Sequence, residues 1–363
     1  MKRLWKKRLE NVDPYIPGKP IEEVKRELGL KDVVKLASNE IPCSPSPKVI
    51  KAIRNALSSL NRYPDGSSFY LKKAISKKFA VKPENLVIGN GSDELIVLAI
   101  RAFLEKGDEV VIANPTFLVY KIASAIEGAV LKQVAMKNFQ YDIPSMVKAM
   151  TPKTKLVFIA NPNNPTGTYI TGKDLEYLIA KAPERTIIFI DEAYYDFAKG
   201  GKYPETLKYI DIARKNVIIA RTFSKVYGLA GLRVGYAFAR KDLANIMNTI
   251  REPFNVNSLA QVAALGALRD TSFVLRQTAM VKREKKRYEL FFKTNKIKYV
   301  PSRSNFFLIN TERDSKKIAG DLLKKGVIVR EMTSWGIPGF IRVNMGLPSE
   351  NTKFFKSYLE AAK

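Results

Sequence analysis

Five short apolar runs, separated by segments with helical periodicity, restrict the fold of this chain more than any other feature. The runs are 86–88, 109–113, 156–160, 186–190 and 217–220. Their β-branched content favours strands buried on both faces, and the helical segments favour βαβ crossovers. The chain is therefore predicted to be α/β, with a mostly parallel central sheet in a large domain. Polar residues follow several of these runs, and ligands bind at that edge of such sheets.

The pattern changes beyond about residue 242 into a mixture that predicts a smaller α+β domain. A helix-forming region covers 259–292, strand patterns lie at 305–309, 327–329 and 340–343, and a helix is expected over 316–325. A proline-punctuated start, from Pro14 to Pro20, cannot build a core of its own. The predicted division is 1–36 as an N-terminal arm and part of the small domain, 37–246 as the large cofactor-binding domain, and 247–363 as the small C-terminal domain.

The absence of histidine is the most restrictive fact of composition. It excludes Ser-His-Asp hydrolysis, Cys-His proteolysis, HExxH sites and histidine-based zinc catalysis. Proton transfer must therefore use lysine, tyrosine or carboxylates. A single cysteine, Cys43, forbids an intramolecular disulfide and a CxxC metal site. No metal site is predicted.

The chain is strongly basic, with 62 Lys+Arg against 35 Asp+Glu and a formal net charge of +27. Such a charge fits a nucleic-acid binder, an enzyme for anionic substrates or a lysine-rich surface. The basic residues are spread along the whole chain, which favours a solvated surface that attracts anions. No apolar run approaches the roughly 18 residues of a membrane span, and the basic start 1–8 precedes no apolar signal core. A cytoplasmic protein without membrane or nucleic-acid partners is expected.

The segment 221–233 reads Arg-Thr-Phe-Ser-Lys-Val-Tyr-Gly-Leu-Ala-Gly-Leu-Arg and follows the apolar run 217–220. It places Lys225 in a turn at the carboxyl end of a buried strand. A lysine held out of water has a lowered pKa and can act as a Schiff-base nucleophile. The alternative is a strand-to-loop turn whose lysine faces solvent, and this segment alone does not decide between the two.

A glycine turn, Gly-Asn-Gly-Ser-Asp-Glu at 89–94, connects the run 86–88 to a helical pattern over 95–104. The start of a helix offers free N–H groups and a favourable dipole to an anion, so the turn predicts a phosphate site. It is not the dinucleotide fingerprint, because Glu94 stands where a third glycine would be. The alternative is a capped helix with Ser92 or Asp93 as the N-cap.

One cofactor, pyridoxal phosphate (PLP), explains four features of this sheet edge. They are Lys225, Asp191 after the run 186–190, Asn164 in a proline-rich turn, and the glycine turn. PLP needs an amine for its Schiff base, a carboxylate for its pyridine nitrogen, and donors for its phenolic oxygen and phosphate. Each feature has an ordinary alternative, as a helix cap, a turn former or a connector. Their joint placement at strand ends favours the cofactor.

Three motifs resemble the signature of class I/II PLP aminotransferases of fold type I. They are Asn-Pro-Asn-Asn-Pro-Thr-Gly (161–167), Asp-Glu-Ala-Tyr (191–194) and the segment 222–233. Further segments resemble the histidinol-phosphate aminotransferase group: Tyr-Ile-Pro-Gly-Lys-Pro (15–20), Leu-Ala-Ser-Asn-Glu (36–40), Arg-Tyr-Pro-Asp-Gly (62–66), the glycine turn (89–94) and Pro-Phe-Asn-Val-Asn (253–257). The similarity extends over nearly the whole chain, from 15 to 346, and implies the PLP-dependent transferase fold of type I.

The resemblance implies a transaminase that uses L-histidinol phosphate and 2-oxoglutarate in histidine biosynthesis, assembled as a homodimer with shared active sites. It implies that Lys225 bonds to the cofactor, that Asp191 pairs with the pyridine nitrogen, and that Asn164 and Tyr194 hold the phenolic oxygen. The other implied cofactor contacts are Gly91, Ser92, Asp93, Thr222, Ser224 and Arg233 around the phosphate, Phe117 stacked on the ring, and Tyr63 from the neighbouring subunit. The implied substrate contacts are Tyr15, Asn39, Arg330 and Arg342.

Some alternatives stay open at this point. The segment Trp-Gly-Ile-Pro (335–338) departs from the pattern expected between the two arginines, so the fine shape of the pocket is not defined. A related aminotransferase for aromatic or acidic amino acids, or a PLP-dependent threonine-phosphate decarboxylase, would share the motifs. A nucleic-acid binder on a degenerate enzyme fold would explain the charge and predicts steeply salt-dependent DNA binding. Such a binder has no use for the lysine, aspartate and asparagine set.

Overall fold

The computed structural model describes residues 4–210 and 215–362. Its strands are β1 (Val34–Lys35), β2 (Leu86–Gly89), β3 (Glu109–Asn114), β4 (Val130–Ala135), β5 (Thr154–Ala160), β6 (Ile187–Asp191), β7 (Val217–Thr222), β8 (Gly235–Ala239), β9 (Tyr299–Val300), β10 (Phe306–Asn310), β11 (Val327–Ile328), β12 (Arg330–Glu331) and β13 (Phe340–Asn344).

The α-helices are α1 (Ile21–Leu28), α2 (Pro47–Ala56), α3 (Phe69–Phe79), α4 (Gly91–Phe103), α5 (Leu118–Glu127), α6 (Ile143–Ala149), α7 (Gly172–Lys181), α8 (Tyr195–Ala198), α9 (Lys241–Thr249), α10 (Ser258–Leu268), α11 (Thr271–Thr294), α12 (Ser315–Lys324) and α13 (Pro348–Ala361). Short 3-10 helices lie at Lys7–Asn11, Leu57–Ser59, Pro83–Asn85, Thr206–Tyr209, Ala230–Leu232 and Thr333–Trp335. Within the described ranges, every helix is too short or too polar to cross a membrane.

Seven strands form the large sheet, in the order β2-β8-β7-β6-β5-β3-β4. The pairs from β4 through β7 are parallel, and β8 pairs antiparallel with both β2 and β7. The predicted α/β fold with a mostly parallel sheet is therefore confirmed. In the central register Asp191 lies opposite Ala160 on one side and Ala220 on the other. The carboxyl ends of β5, β6 and β7 consequently meet at one place.

Two apolar cores cover the two faces of this sheet. On β6, Ile188 and Ile190 contact one core, whereas Ile187 and Phe189 contact the other. Successive strand residues point to opposite faces, which explains why these runs are apolar throughout. The same alternation continues past the strand end, so the side chains of Asp191 and Glu192 point to opposite faces of the sheet. Asp191 therefore lines the pocket described below, whereas Glu192 does not.

Two smaller sheets accompany the large one. One has the order β12-β13-β10-β9 and is antiparallel, and the other pairs β1 with β11 in parallel. Their core includes Tyr288 of α11, Phe307 of β10 and Phe354 of α13. Arg330 and Arg342 lie directly opposite each other in the β12–β13 register. The strand pairing thus brings together two arginines that are twelve residues apart in the sequence.

Three local features differ from the sequence-based expectations. The helical region 259–292 is broken into α10 and α11, because Asp270 caps the second helix by accepting from the Phe273 N–H at 3.2 Å. Neither Ser92 nor Asp93 is a helix N-cap, since α4 already begins at Gly91. Strands β4 and β8 were not predicted. Strand β4 is largely exposed at the sheet edge, which weakens its apolar pattern.

Candidate active site

A pocket of about 180 Å³ lies at the carboxyl edge of the large sheet, beside the ends of β5, β6 and β7. Fourteen of the predicted site residues line it: Tyr15, Asn39, Ser92, Asp93, Phe117, Asn164, Asp191, Tyr194, Thr222, Ser224, Lys225, Arg233, Arg330 and Arg342. Gly91 and Tyr63 do not line it. Four parts of the molecule therefore contribute to one cavity: the large sheet, the β12–β13 pair, the segment before α1 and the segment 37–39 after β1.

Lys225 lies three residues beyond β7 and reaches into the pocket. Its Nζ donates to the Ser38 carbonyl oxygen at 3.3 Å and lies 5.6 Å from the centre of the Tyr194 ring. No carboxylate of the described residues forms an ion pair with this amine. Burial, followed by the charge of Arg342, lowers the pKa of Lys225 to about 8. The structure thus excludes the solvent-facing alternative and gives an amine that is easily deprotonated.

Asp191 ends β6 on the face that carries α4 and α5. Its Oδ2 accepts from the Tyr120 hydroxyl at 2.7 Å, and its Oδ1 accepts from the Ala193 N–H at 3.1 Å. Burial raises the pKa of Asp191 to about 6, although both hydrogen bonds act in the opposite direction. Near neutral pH the group is an oriented carboxylate in a dry place, as a partner for a protonated ring nitrogen must be.

Arg342 is the most enclosed cation of the pocket, with 4% of its surface exposed. It donates through Nη1 to Asn164 Oδ1 at 2.5 Å and through Nη2 to the Ala37 carbonyl oxygen at 2.6 Å. Its Nε is buried without a partner. Burial lowers the pKa of Arg342 to about 10. A cation held by neutral oxygens alone is the arrangement expected where an anion binds.

Tyr194 and Asn39 form a second polar pair in the pocket. Asn39 Nδ2 donates to the Tyr194 hydroxyl at 2.8 Å, which leaves that hydroxyl free to donate. Asn39 Oδ1 is buried and unpartnered. Burial raises the pKa of Tyr194 to about 12, so the phenol stays protonated at neutral pH. It can therefore donate to an oxyanion such as a phenolate.

The start of α4 and Arg233 form an anion-binding corner. Gly91 has φ +82°, and a Cβ there would lie 2.5 Å from Arg233 Nη2, so a side chain would fill this corner. Arg233 donates to Asp93 Oδ2 at 3.0 Å and to Ser224 Oγ at 3.4 Å. The Thr222 hydroxyl accepts from the Ser224 N–H at 3.1 Å. A guanidinium, hydroxyls and a helix amino terminus are the groups that bind phosphate.

Phe117 and Arg330 complete the wall of the pocket. Phe117 lies just before α5, in edge-to-face contact with Tyr120 at 5.6 Å between ring centres. Arg330 donates through Nη2 to the Ile16 carbonyl oxygen at 2.6 Å and lies 5.7 Å from the Tyr15 ring centre. The segment before α1 is therefore attached to the pocket through Arg330.

Tyr63 is, with Gly91, one of the two predicted site residues that do not line the pocket. It is 82% exposed and stacks on Phe254, with 4.7 Å between ring centres. Sequence reasoning also missed several contacts, above all Tyr120, which orients Asp191. Its spacing could have revealed it, since residues three apart share a helix face and Tyr120 is three residues after Phe117.

The fold and this pocket together define a class of protein, the PLP-dependent aminotransferases of fold type I. The model of the family "Aminotransferase class I and II" matches residues 31–356. The chain belongs to this family, as its motifs predicted.

Named relatives and solved structures agree with this membership. The chain is 45% identical over 350 residues to the histidinol-phosphate aminotransferase of Moorella thermoacetica, covering 96% of this chain and 91% of that protein. It is 44% identical to histidinol-phosphate aminotransferase 2 of Carboxydothermus hydrogenoformans, covering 96% of both. The structure of histidinol-phosphate aminotransferase from Sinorhizobium meliloti in complex with pyridoxal-5'-phosphate superposes with a TM-score of 0.90 at 27% identity, covering 99% of this chain and 97% of that chain.

Proposed function

We propose that this protein is a PLP-dependent aminotransferase that transfers the amino group of L-histidinol phosphate to 2-oxoglutarate. The products are imidazole acetol phosphate and glutamate, in a step of histidine biosynthesis. The observation that carries the proposal is Lys225, a half-buried amine without a carboxylate ion pair among the described residues, in one pocket with Asp191 and three arginines. The names of relatives at 40–45% identity over nearly the full chain support the substrate assignment.

The residues present fit the cofactor. Asn39 Oδ1 and Arg342 Nε are buried polar atoms without partners, which indicates that the pocket receives a polar ligand. Lys225 would bond to the cofactor, Asp191 would pair with its ring nitrogen, and Tyr194 with Asn164 would hold its phenolic oxygen. The backbone at Gly91 and Ser92, with Asp93, Thr222, Ser224 and Arg233, would surround its phosphate. When bound, PLP supplies an electron sink for negative charge at the substrate's Cα.

Lys225 is the proposed proton carrier of the reaction. Because burial lowers its pKa to about 8, a useful fraction of the amine is neutral near physiological pH. A neutral amine in this position can take the proton from the substrate's Cα and would deliver it to the cofactor carbon that carries the transferred nitrogen. No histidine is needed. Asp191 holds its negative charge in place throughout, because Tyr120 and the Ala193 N–H fix both of its oxygens.

Arg330 and Arg342 are the proposed clamp for the anionic end of either substrate. A guanidinium binds a carboxylate or a phosphate through two parallel hydrogen bonds, so the same pair can serve a phosphate monoester and a dicarboxylate. Arg342 has no described carboxylate in contact, and among the described residues Arg330 has only the Ile16 carbonyl as a hydrogen-bond acceptor. Both therefore gain their first anionic partner when the substrate binds.

The test is a set of single half-reactions on the PLP-loaded protein, without an amino acceptor. Histidinol phosphate should change the cofactor's visible absorbance faster than phenylalanine, aspartate or threonine phosphate. A protein that stays colourless in excess PLP contradicts the proposal. Fastest reaction with an aromatic or acidic amino acid, or release of CO₂ from threonine phosphate, would instead establish one of the related enzymes.

The variant Lys225→Ala tests the role of this lysine. We expect it to fold, to bind PLP weakly and to lose at least about 100-fold in turnover, because the proton carrier is gone. Near wild-type turnover in this variant would remove Lys225 from the mechanism. Circular dichroism of the cofactor-free variant separates this loss from misfolding.

We also propose a homodimer with shared sites. Tyr63, Phe254, Phe69 and Tyr70 are exposed aromatic residues, and the family resemblance assigns Tyr63 to the neighbouring subunit's cofactor phosphate. The test mixes Lys225→Ala with Tyr63→Ala subunits. A hybrid dimer contains one site with both residues intact, so activity should reappear on mixing and subunit exchange. Activity equal to the simple sum of the two variants contradicts shared sites.

The proposed location is the cytoplasm, and the proposed domains are 1–36, 37–246 and 247–363. Residues 1–3, 211–214 and 363 of these ranges lie outside the described part of the chain. A single cysteine is compatible with a reducing compartment. Cell fractionation tests the location, and limited proteolysis of the cofactor-free protein tests whether cleavage falls at the proposed boundaries.

A further inference from the structure

The turn between the two arginine strands carries a tryptophan whose environment is unusual. Trp335 ends the 3-10 helix Thr333–Trp335, between β12 and β13, and is 3% exposed. Its indole Nε1 is buried and has no hydrogen-bond partner in the described part of the chain. A buried N–H without an acceptor is unfavourable. A phenylalanine would fill much of the same space without this unsatisfied donor, so apolar packing alone does not explain an indole here.

Trp335 touches the predicted anion clamp and the predicted cofactor-stacking ring together. The Arg342 guanidinium carbon lies 5.6 Å from the centre of the Trp335 ring and 5.5 Å from that of Phe306. The Phe117 and Trp335 ring centres are 6.3 Å apart. Phe306 also packs against Tyr194, at 5.1 Å between ring centres. Trp335 is therefore the ring that connects Arg342 to Phe117.

The need for an aromatic face follows from the charges around Arg342. This guanidinium forms no ion pair with a described carboxylate, and its hydrogen bonds go to two neutral oxygens. The faces of the nearby rings supply the remaining negative potential, and an indole supplies more of it than a phenyl ring. The indole thus favours a charged guanidinium in a place where only 4% of the arginine is exposed to water.

We propose that Trp335 is a positioning residue that holds the Arg342 guanidinium charged and oriented for the substrate's carboxylate or phosphate. The inference rests on the proposed function only in assuming that Arg342 binds that anion. Trp335 touches neither substrate nor cofactor in this role. It acts through Arg342, and it should therefore set the affinity for anionic substrates and leave the rate of the chemical step unchanged.

The first experiment uses Trp335 as its own reporter. The chain has two tryptophans, and the other, Trp5, is exposed, so Trp5→Phe leaves Trp335 as the single tryptophan, whose emission is excited selectively at wavelengths that tyrosine does not absorb. Titration of this cofactor-free variant with succinate, a dicarboxylate without a reactive carbonyl, should change the emission saturably. The diamide of succinate should give no change, nor should succinate added to the Trp5→Phe/Arg342→Met protein. Unchanged emission while calorimetry records succinate binding overturns the proposal.

The second experiment varies the ring face and keeps its shape. Tryptophan analogues with one, two or three fluorines, incorporated into the Trp5→Phe protein, withdraw electron density from the indole. The succinate dissociation constant should rise stepwise, by about tenfold in total. A purely structural role predicts no trend with fluorination, and a flat series overturns the proposal. This test does not require that a truncated variant fold.

Steady-state kinetics provide the third measurement. Trp335→Leu should raise the KM for 2-oxoglutarate about tenfold, whereas Trp335→Phe, which keeps a ring face, should raise it less than about threefold. In both variants kcat should stay within about twofold. An equal increase in KM in Trp335→Phe and Trp335→Leu, or a decrease confined to kcat, contradicts a positioning role. If the fluorination trend holds while histidinol phosphate does not react, the proposed function fails and the role of Trp335 stands.

Discussion

Two buried arginines, Arg221 and Arg342, have the same degree of burial, 4% exposed in each case, and opposite electrostatic surroundings. Arg221 donates from Nε and Nη2 to Glu192 Oε2, both at 2.8 Å, and lies 3.7 Å from the Tyr195 ring centre. Arg342 has aromatic neighbours too, but its acceptors are an amide and a backbone carbonyl. Burial acts to lower the pKa of both groups. For Arg221 the Glu192 carboxylate, together with Tyr236 and Tyr195, outweighs burial and raises the pKa, whereas the pKa of Arg342 falls to about 10.

The difference between these two arginines separates structure from function. Glu192 also accepts from the Tyr203 and Thr206 hydroxyls, at 3.1 and 2.9 Å, so both of its carboxylate oxygens are engaged by groups of this chain. The ion pair joins the ends of β6 and β7 behind the strand residues that face the pocket. Arg342 is a cation whose counter-ion must come from outside the chain. A buried charge without a counter-ion therefore identifies a binding site more reliably than burial or an aromatic neighbour.

The largest expected effect comes from Arg221→Met, which leaves Glu192 charged and unpaired in the core. The free energy of unfolding of the cofactor-free protein should fall by about 3–5 kcal/mol, measured by urea denaturation. Arg342→Met is the matched control and should change it by less than about 1 kcal/mol, or raise it, since no charge is left unpaired. The double variant Arg221→Met/Glu192→Gln should recover most of the loss. Equal destabilisation by Arg221→Met and Arg342→Met would contradict the distinction between an arginine with an internal counter-ion and one without.

The next effect is on substrate affinity. Arg342→Met should lower kcat/KM for 2-oxoglutarate by about 100- to 1000-fold, or about 3–4 kcal/mol, because a buried charged hydrogen-bond donor to the anion is lost. The kcat/KM of Arg342→Lys should lie between the values of Arg342→Met and wild type, since an ammonium cannot form the paired hydrogen bonds of a guanidinium. Steady-state kinetics on protein verified as folded provide the measurement. A loss in Arg342→Met of less than about tenfold contradicts the clamp.

The sequence predicted the strands around the site because buried parallel strands are apolar on both faces. Strands β2, β3, β5, β6 and β7 all lie within two residues of the expected runs. Their order in the sheet was not predictable from local pattern. Strand β8 lies between β2 and β7, and its Gly235 lets the backbone approach Gly91, where an added Cβ would come within 2.8 Å. That contact joins residues 144 positions apart, which no local pattern encodes.

The site, like the fold, was predictable from sequence only where local pattern determines it. Motifs located Lys225, Asp191 and Asn164, since turns after strands share one sheet edge. The role of Arg221 was not evident, because its partner Glu192 is 29 residues away and appears in the same motif as Asp191. Strand alternation could have indicated that Asp191 and Glu192 face opposite sides of the sheet. The three-dimensional structure was needed to show on which side of the sheet Glu192 pairs with Arg221.

A third prediction concerns the pKa of Lys225, which the charge of Arg342 helps to lower. The folded-state pKa of about 8 lies below the ordinary value of 10.5, so the unfolded chain binds more protons between these limits. The unfolding free energy of the cofactor-free protein, relative to Lys225→Met, should therefore rise with pH from about 8 to 10.5, by up to about 1.4 kcal/mol per pH unit. On the Arg342→Met background the rise should begin at higher pH. On the Arg221→Met background its start should not move, and a shift there would mean that the two arginines are not independent.

The smallest expected effect tests the absence of a counter-ion at Arg342 directly. A dicarboxylate that binds only the folded protein stabilises it by RT ln(1 + [L]/Kd), which is about 1.4 kcal/mol at ten times the dissociation constant. Succinate should produce this gain in wild type and in Arg221→Met, because the pocket cation is intact in both. Arg342→Met should show no gain, since its pocket has lost the most buried cation. Thermal unfolding across a succinate series provides the measurement, with an equal ionic strength of sodium chloride as the control for screening. A gain that depends on Arg221, or survives the loss of Arg342, would place the open anion site elsewhere in the molecule.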